Sequence, residues 1–381
     1  AVADTDPEIR LHLGRRTVSV RLGGLDLPDT PYPHLTLVRQ MDIEQVLIDA
    51  LAARGVTIER DTEAITVSAG AGRSCAMLRT PAGIEETSAR FIAGCDGPDS
   101  IVRQAAGIGW KGGPYREEIV LADLELTGDI DPGSFNAWVG RHGLLLVFPL
   151  GERATWRLLA TRPAPGDVLA SGQPGPPVPD DELQRLMDEA GFAGQIIEVA
   201  WSARYQVQHR LADRLRAGPL FIAGDAAHTW SPATGQGMNT GIQDAVNLGW
   251  KLTRAASSAD PERLLHSYNA ERRPAARRLF RMTHAAFWAE ASSGLLPTVL
   301  RSMAPLGAPM LPALLGQKRL LGEGLAAMSR LRAGYNDSPI SVEDRPSMSG
   351  VPRSGDRLPD REALVDGKCQ RLHDVIAHPG V

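Results

Sequence analysis

Residues 218–252 constrain this chain more than any other stretch. Gly218-Pro219-Leu220-Phe221-Ile222-Ala223-Gly224-Asp225-Ala226-Ala227-His228 is an apolar run that ends at a glycine and an aspartate. It reads as a buried strand that delivers Gly224 and Asp225 to its C-terminal end, the edge where open α/β sheets bind ligands. An aspartate there can accept hydrogen bonds from a sugar or ribityl hydroxyl, and a glycine lets the ligand come close. Alone, the Gly-Asp pair would read as a strand end followed by an aspartate cap. It is followed, however, by Ser231-Pro232-Ala233-Thr234-Gly235-Gln236-Gly237-Met238-Asn239-Thr240-Gly241 and by Ile242-Gln243-Asp244-Ala245-Val246-Asn247-Leu248. That is a glycine-bearing loop entering an amphipathic helix. The unpaired N–H groups at a helix start, helped by the helix dipole, form an anion site.

Together these residues resemble the FAD-binding signature of the aromatic-hydroxylase flavoproteins, the family of para-hydroxybenzoate and phenol hydroxylases. The resemblance runs without a gap from Pro219 to Leu252 and continues in Leu264-Leu265-His266-Ser267-Tyr268-Asn269-Ala270-Glu271-Arg272-Arg273-Pro274. It implies that Gly224 and Asp225 hold the ribityl chain. Pro232, Gly235, Gln236, Gly237, Met238 and Asn239 would line the flavin ring, where a helix N-terminus stabilises the negative charge of the reduced form. A second run, Ala93-Gly94-Cys95-Asp96-Gly97-Pro98-Asp99-Ser100-Ile101-Val102-Arg103, is similar to the family's Asp-Gly motif. The resemblance places Asp96 and Gly97 near the FAD pyrophosphate and the transient NAD(P)H, with Ser100 and Arg103 orienting the next helix. A third run, Leu37-Val38-Arg39-Gln40-Met41-Asp42-Ile43-Glu44-Gln45-Val46-Leu47, resembles the family's Gln-containing helix start and makes Gln40 a diphosphate contact.

The family opens with a strand, Gly-x-Gly-x-x-Gly and a helix. No such fingerprint precedes Gln40. The resemblance covers about residues 15–345, and weak FAD binding by residues 1–381 alone is the expectation. The tail, with Ser354-Gly355-Asp356 and Leu364-Val365-Asp366-Gly367, resembles the opening of the family's thioredoxin-like third domain. It carries no Cys-x-x-Cys, so thiol redox chemistry is not implied.

Composition narrows the alternatives. A net charge of -4 and a pI near 6.2 argue against nucleic acid as a partner. Three separated cysteines, Cys75, Cys95 and Cys369, give no disulfide framework or metal-ligand pattern. A reducing, cytoplasmic location follows. The apolar stretch Leu295–Leu315 is broken by Pro297, Arg301, Pro305, Pro309 and Pro312, so no membrane span is expected. A homodimer is compatible with this reading.

The expected fold class is an α/β FAD-binding domain of Rossmann-like, glutathione-reductase type. A mainly antiparallel substrate sheet is inserted, and a thioredoxin-like domain begins at the C-terminus. The boundaries are 1–110 and 209–335 for the FAD domain, 111–208 for the sheet, and 336–381 for the linker and last domain. Strands are expected over Arg16–Leu25, Val56–Arg60, Thr62–Ala69, Ser74–Thr80 and Glu85–Ile92. A second series covers Ile119–Leu126, Ser134–Val139, Gly143–Pro149, Thr155–Ala160, Gln195–Tyr205 and Leu220–Gly224. Helices are expected over Asp42–Arg54, Asp180–Ala190, Gly237–Arg254 and Pro261–Met282, the last interrupted at Pro274.

The implied activity is an FAD- and NAD(P)H-dependent monooxygenation of a phenolic or polyketide-derived ring with O₂, through a flavin C4a-hydroperoxide. A Baeyer–Villiger enzyme, another flavoenzyme on this fold or a non-catalytic flavoprotein shell are the alternatives. No catalytic acid or base is assigned. His142, His209 and His228 qualify by residue type only and read better as structural. The aromatic substrate is expected between the flavin and the inserted sheet, with Phe135, Trp138, Leu146, Phe148 and Trp156 as candidate lining.

Overall fold

The computed structural model describes residues 6–376 except 26, 28, 37, 71, 142, 151–154, 165, 167–172, 233, 234, 256, 312, 314, 315, 330–332 and 345–350. The largest element is an eight-stranded sheet. Its strands are β1 (Glu8–Leu13), β2 (Arg16–Arg21), β7 (Trp110–Gly128), β8 (Ser134–Gly140), β9 (Gly143–Pro149), β10 (Trp156–Pro163), β11 (Gly194–Ala212) and β14 (His228–Thr229). The order is β14-β11-β7-β10-β9-β8-β1-β2. All neighbours are antiparallel except β1 and β8. Residues 8–21, counted with the first domain on sequence, therefore pair into this sheet.

Side-chain alternation assigns the two faces of the sheet. Val120, Ala122, Leu124, Trp138, Leu145, Val147, Trp156, Leu158 and Ala160 point one way and are buried with Leu183 and Met187 of α3 (Asp180–Ala190). Phe135 and Phe148 point the other way and stack at 4.9 Å; Leu146, two residues before Phe148, shares that face. The five aromatic and aliphatic candidates thus do not share a wall. Trp138 and Trp156 belong to the α3 core, because the pleat sends residues 135 and 138 to opposite faces.

A small three-stranded sheet positions the Asp96 and Asp225 turns. It consists of β12 (Arg216–Ala217), β13 (Leu220–Ile222) and β6 (Ile92–Gly94). β13 and β6 run parallel, Leu220 facing Ile92 and Ile222 facing Gly94. Phe221, Ile222, Leu220 and Tyr268 are fully buried in the core that also takes Leu248 of α4 (Gly237–Ala255) and Leu265 of α5 (Pro261–Ala291). A separate antiparallel sheet joins β3 (Glu63–Ala69), β4 (Ser74–Thr80) and β5 (Gly83–Ala89).

Two local expectations fail for identifiable reasons. Residues Val56–Arg60 form no strand: the Val56 amide bonds back to Leu51 O at 3.0 Å, closing α1 (Gln40–Ala52) with Gly55 at φ +71. Helix α5 runs through Pro274 without a break. Proline forfeits one backbone bond there, but Ala276, Leu279, Thr283 and Phe287 beyond it are buried and hold the helix on. Within Leu295–Leu315, which reads on sequence as short helices and turns, Leu295–Gly307 is one helix, α6, with its prolines at positions 297 and 305 near the two ends. In the tail, Asp366 (φ 50) and Gly367 (φ 76) make the hairpin turn between β15 (Glu362–Val365) and β16 (Lys368–Arg371), as two positive φ values require. No helix among the described residues is long and apolar enough to cross a membrane.

Candidate functional site

Because β6 and β13 are parallel neighbours, the turns that follow them emerge at one edge. Ala223 N donates to Gly94 O at 3.0 Å, tying the strand ends together. Asp96 and Asp225 thus leave the same side of the small sheet. In the Asp96 turn, Gly97 takes φ +78 and a Cβ there would meet nothing within 4 Å. Asp96 Oδ2 accepts from Val102 N at 3.3 Å, and Ser100 Oγ caps the short helix Ile101–Ala105 by accepting from Arg103 N at 3.0 Å. Arg103 is buried and bridges both turns: it donates to Pro98 O at 2.6 Å and to Ala226 O at 3.0 Å. Its guanidinium lies 4.0 Å over the Trp110 ring. Burial lowers its pKa, against the pull of Asp96 and Asp99.

The Gly224 turn depends on its glycine. Gly224 sits at φ +59, and its Cα faces Gly241 of α4, where an added Cβ would lie 3.6 Å away. The turn and the helix therefore meet glycine to glycine. Asp225 is exposed at the mouth, and its carboxylate makes no hydrogen bond among the described residues. The protein packed around it pushes its pKa above the ordinary aspartate value, only partly offset by His228. A solvent-reachable carboxylate flanked by protein is the signature of a concave edge.

The loop behind it delivers the start of α4. Gly235, at φ +62, donates to Pro232 O at 2.8 Å, and Gln236 O accepts from both Thr240 N (3.0 Å) and Thr240 Oγ1 (2.8 Å). Gly237, Met238 and Asn239 are the first residues of α4, where a helix start leaves N–H groups free of intrahelical bonds. Cβ atoms at Gly235 and Gly237 would meet nothing within 4 Å. The structure thus puts the Asp96–Gly97 and Gly224–Asp225 turns on one edge of the small sheet, and α4, which starts at Gly237 after Pro232, Gly235 and Gln236, meets that edge where Gly241 faces Gly224. Gln40 stands apart. It is exposed at the start of α1, bonds Glu44 across one turn at 2.8 Å, and α1 buries none of its residues.

The three histidines divide. His142 lies outside the described residues. His209 sits in an aromatic group with Tyr115 and His284, and burial lowers its pKa, with help from His284 and Arg210. His228 is buried, bonds Asp244 and stacks on Trp230 at 4.6 Å. Neither reaches the mouth beside Asp225 as an exposed acid or base. A cavity of about 300 Å³ lined by His12, Trp138, Leu145, Leu186, Arg301 and Pro305 lies on the α3 side of the large sheet. None of the Asp96 and Asp225 turn residues lines it.

Sequence reading missed the polar layer under the turns. The inner face of α4 carries Thr240, Asp244, Asn247, Leu248, Lys251 and Ala255, all buried. Lys251 Nζ pairs with Glu271 Oε2 at 2.5 Å, and Glu271 also accepts from Asn247 and from Ser338 of the segment after α6. Four polar residues on the helix's buried stripe, Thr240, Asp244, Asn247 and Lys251, were the available signal.

A family model described as "FAD binding domain" matches residues 8–283. A flavin-dependent monooxygenase of Mycobacteroides abscessus is 30% identical over 97% of this chain and 72% of its own length. The 6-methylpretetramide 4-monooxygenase of Streptomyces rimosus is 32% identical over 92% of the chain. The chain spans 60% of that relative's length. Among solved structures, an aromatic hydroxylase from angucycline biosynthesis superposes with a TM-score of 0.71 at 27% identity, covering 97% of this chain and 70% of that one.

Proposed function

Since the chain belongs to the FAD-binding-domain family, we propose that it is an FAD-dependent monooxygenase that hydroxylates an aromatic ring. One observation supports this most: an exposed Asp225, with no hydrogen bond among the described residues, stands beside the glycine-bearing start of α4, on the sheet edge shared with Asp96. The residues fit the cofactor. Asp225 would accept from ribityl hydroxyls, Asp96 and Gly97 would border the pyrophosphate, and Gly235–Asn239 would face the ring. Open space at the Cβ positions of Gly97, Gly235 and Gly237 leaves room for close approach. Gln40 remains a proposed diphosphate contact that the structure gives no partner in the site.

Bound FAD supplies the two-electron acceptance from NAD(P)H and the activation of O₂ that ring hydroxylation needs. The chain supplies placement and electrostatics. The start of α4 offers N–H donors and a positive dipole end to negative charge on the ring's pyrimidine edge. The sheet face bearing Phe135, Leu146 and Phe148 offers an apolar wall for a phenolic or polyketide-derived substrate, and a wall of that kind excludes water. On this reading residues 22–110 and 209–335 form the FAD domain, 111–208 with the β1–β2 hairpin (residues 8–21) form the substrate sheet, and 336–381 open a thioredoxin-like domain. The protein works in the cytoplasm.

Two substitutions test the assignment. A Cβ at Gly237 would meet nothing within 4 Å, so the fold is expected to survive Gly237→Val while FAD affinity falls about tenfold or more. Asp225→Asn removes charged acceptors worth about 1.5–3 kcal/mol and is expected to weaken FAD binding by roughly 10–100-fold. Both are read by titrating FAD against flavin fluorescence. Wild-type affinity in two well-folded variants would remove the site from consideration.

A further inference from the structure

Asp244 lies two turns into α4 and is fully buried. Its carboxylate accepts three hydrogen bonds: from Gly224 N at 3.2 Å, from His228 Nε2 at 2.6 Å and from Arg272 Nε at 2.7 Å. Burial pushes its pKa up, but His228 and Arg272 outweigh burial and hold it below the ordinary aspartate value. An ionised carboxylate has no proton to give, so the hydrogen in the contact belongs to His228 Nε2. That fixes the orientation of the imidazole. The ring then stacks on Trp230 with an interplanar angle of 8°, one residue before Ser231-Pro232. Arg272 in turn donates to Thr240 O in the first turn of α4 at 3.3 Å and to the Tyr335 hydroxyl at 2.9 Å.

We propose that Asp244 is the positioning residue of the site: one carboxylate sets the Gly224–Asp225 turn and, through His228, the Trp230–Pro232 wall opposite, and Tyr335 steadies it through Arg272. Gly224 has no side chain and a left-handed backbone, so packing of its own cannot hold the turn. The Gly224 N–H bond to Asp244 is the turn's side-chain tie to α4, beside the bond from Ala227 N to Gly224 O at 2.8 Å and that from Arg103 to Ala226 O at 3.0 Å. The same carboxylate oxygen, Oδ2, accepts from Gly224 and from His228. A shift of Asp244 therefore moves both walls together. Tyr335 belongs to the segment after α6, and this gives that segment a route to the site.

This inference rests on the FAD reading for its meaning, but the turn can be tested without cofactor. The variants are Asp244→Asn, which replaces one acceptor by an NH₂ donor, and Tyr335→Phe, which removes only the hydroxyl. Amide hydrogen exchange is followed in the cofactor-free chain for peptides spanning residues 220–232 and for strands β7 and β11. FAD affinity and the flavin absorption spectrum are measured beside it. Asp244→Asn is expected to speed exchange across 224–230 about tenfold or more while β7 and β11 keep wild-type rates. FAD affinity falls about tenfold and the flavin spectrum shifts. Tyr335→Phe gives smaller changes of the same kind. Unchanged exchange and affinity in both variants overturn the proposal, and so does exchange that speeds up everywhere, because Asp244 would then only hold the fold. If Asp244→Asn does not fold, Tyr335→Phe decides by the same local readout. Local loosening in a chain that never binds FAD upholds the positioning role and instead overturns the functional reading.

Discussion

Arg272→Met is expected to destabilise the folded chain by about 3–5 kcal/mol, the cost of breaking a buried ion pair from one side. Arg272 and Asp244 have side chains 1% and 0% exposed. Methionine fills much of the volume but donates nothing. It would leave Asp244 with two of its three donors, Tyr335 OH and Gln243 Oε1 without a partner they now have, and Thr240 O without the guanidinium. The pair joins α4 to α5 across 28 positions of sequence, so both helices loosen. Urea denaturation followed by circular dichroism measures the loss. A change under about 1 kcal/mol would mean that the pair is not the anchor between these helices. Replacing Arg272 and Asp244 together by apolar residues is expected to cost less than the single change, since no charge is then left unpaired.

Glu290→Gln is expected to act in the opposite direction, with an effect that grows from about pH 5 and levels off above about pH 7. Glu290 lies near the end of α5, and burial alone raises its pKa from 4.5 to about 7. It has no hydrogen bond or ion pair among the described residues. The folded chain therefore keeps this proton to about pH 7, while the unfolded chain releases it near 4.5. Its contribution is fully present below the unfolded value and is lost as pH rises through the folded one. One pH unit of displacement is worth about 1.4 kcal/mol, so the whole displacement amounts to about 3 kcal/mol at most. Glutamine keeps the shape and never ionises. The variant should match the wild type near pH 4 and exceed it by up to about 3 kcal/mol at pH 8. A pH-independent difference between the two would show that Glu290 ionises in the folded chain as freely as in water.

The elements that were legible are those whose pattern is local. Ser74–Thr80, Gly143–Pro149 and Asp180–Ala190 have the bounds expected of them. β7 and β11 run well past their apolar stretches, to Trp110 and to Ala212, because each continues on the other as partner. No single-strand pattern reveals that. The β1 strand, Glu8–Leu13, alternates correctly but is only stable beside β2 and β8. The glycine turns at 97, 224 and 235 were readable because each takes a positive φ that leaves few other residues possible. Asp244 and Arg272 stood in the matching runs, yet their roles depend on burial and on a contact between helices. Gln40 shows the converse: a helix start identified from resemblance does not place its side chain.

Purifying the chain, titrating it with FAD and measuring NAD(P)H oxidation under ¹⁸O₂ with a panel of phenols and polycyclic aromatics tests the central claim most directly. Flavin held at the high FAD concentration that weak binding calls for, NAD(P)H oxidation accelerated by at least one aromatic compound, and one ¹⁸O atom in a hydroxylated product are the predicted result. A folded chain that binds FAD but inserts oxygen beside a ketone, or transfers none to any ring, would contradict it.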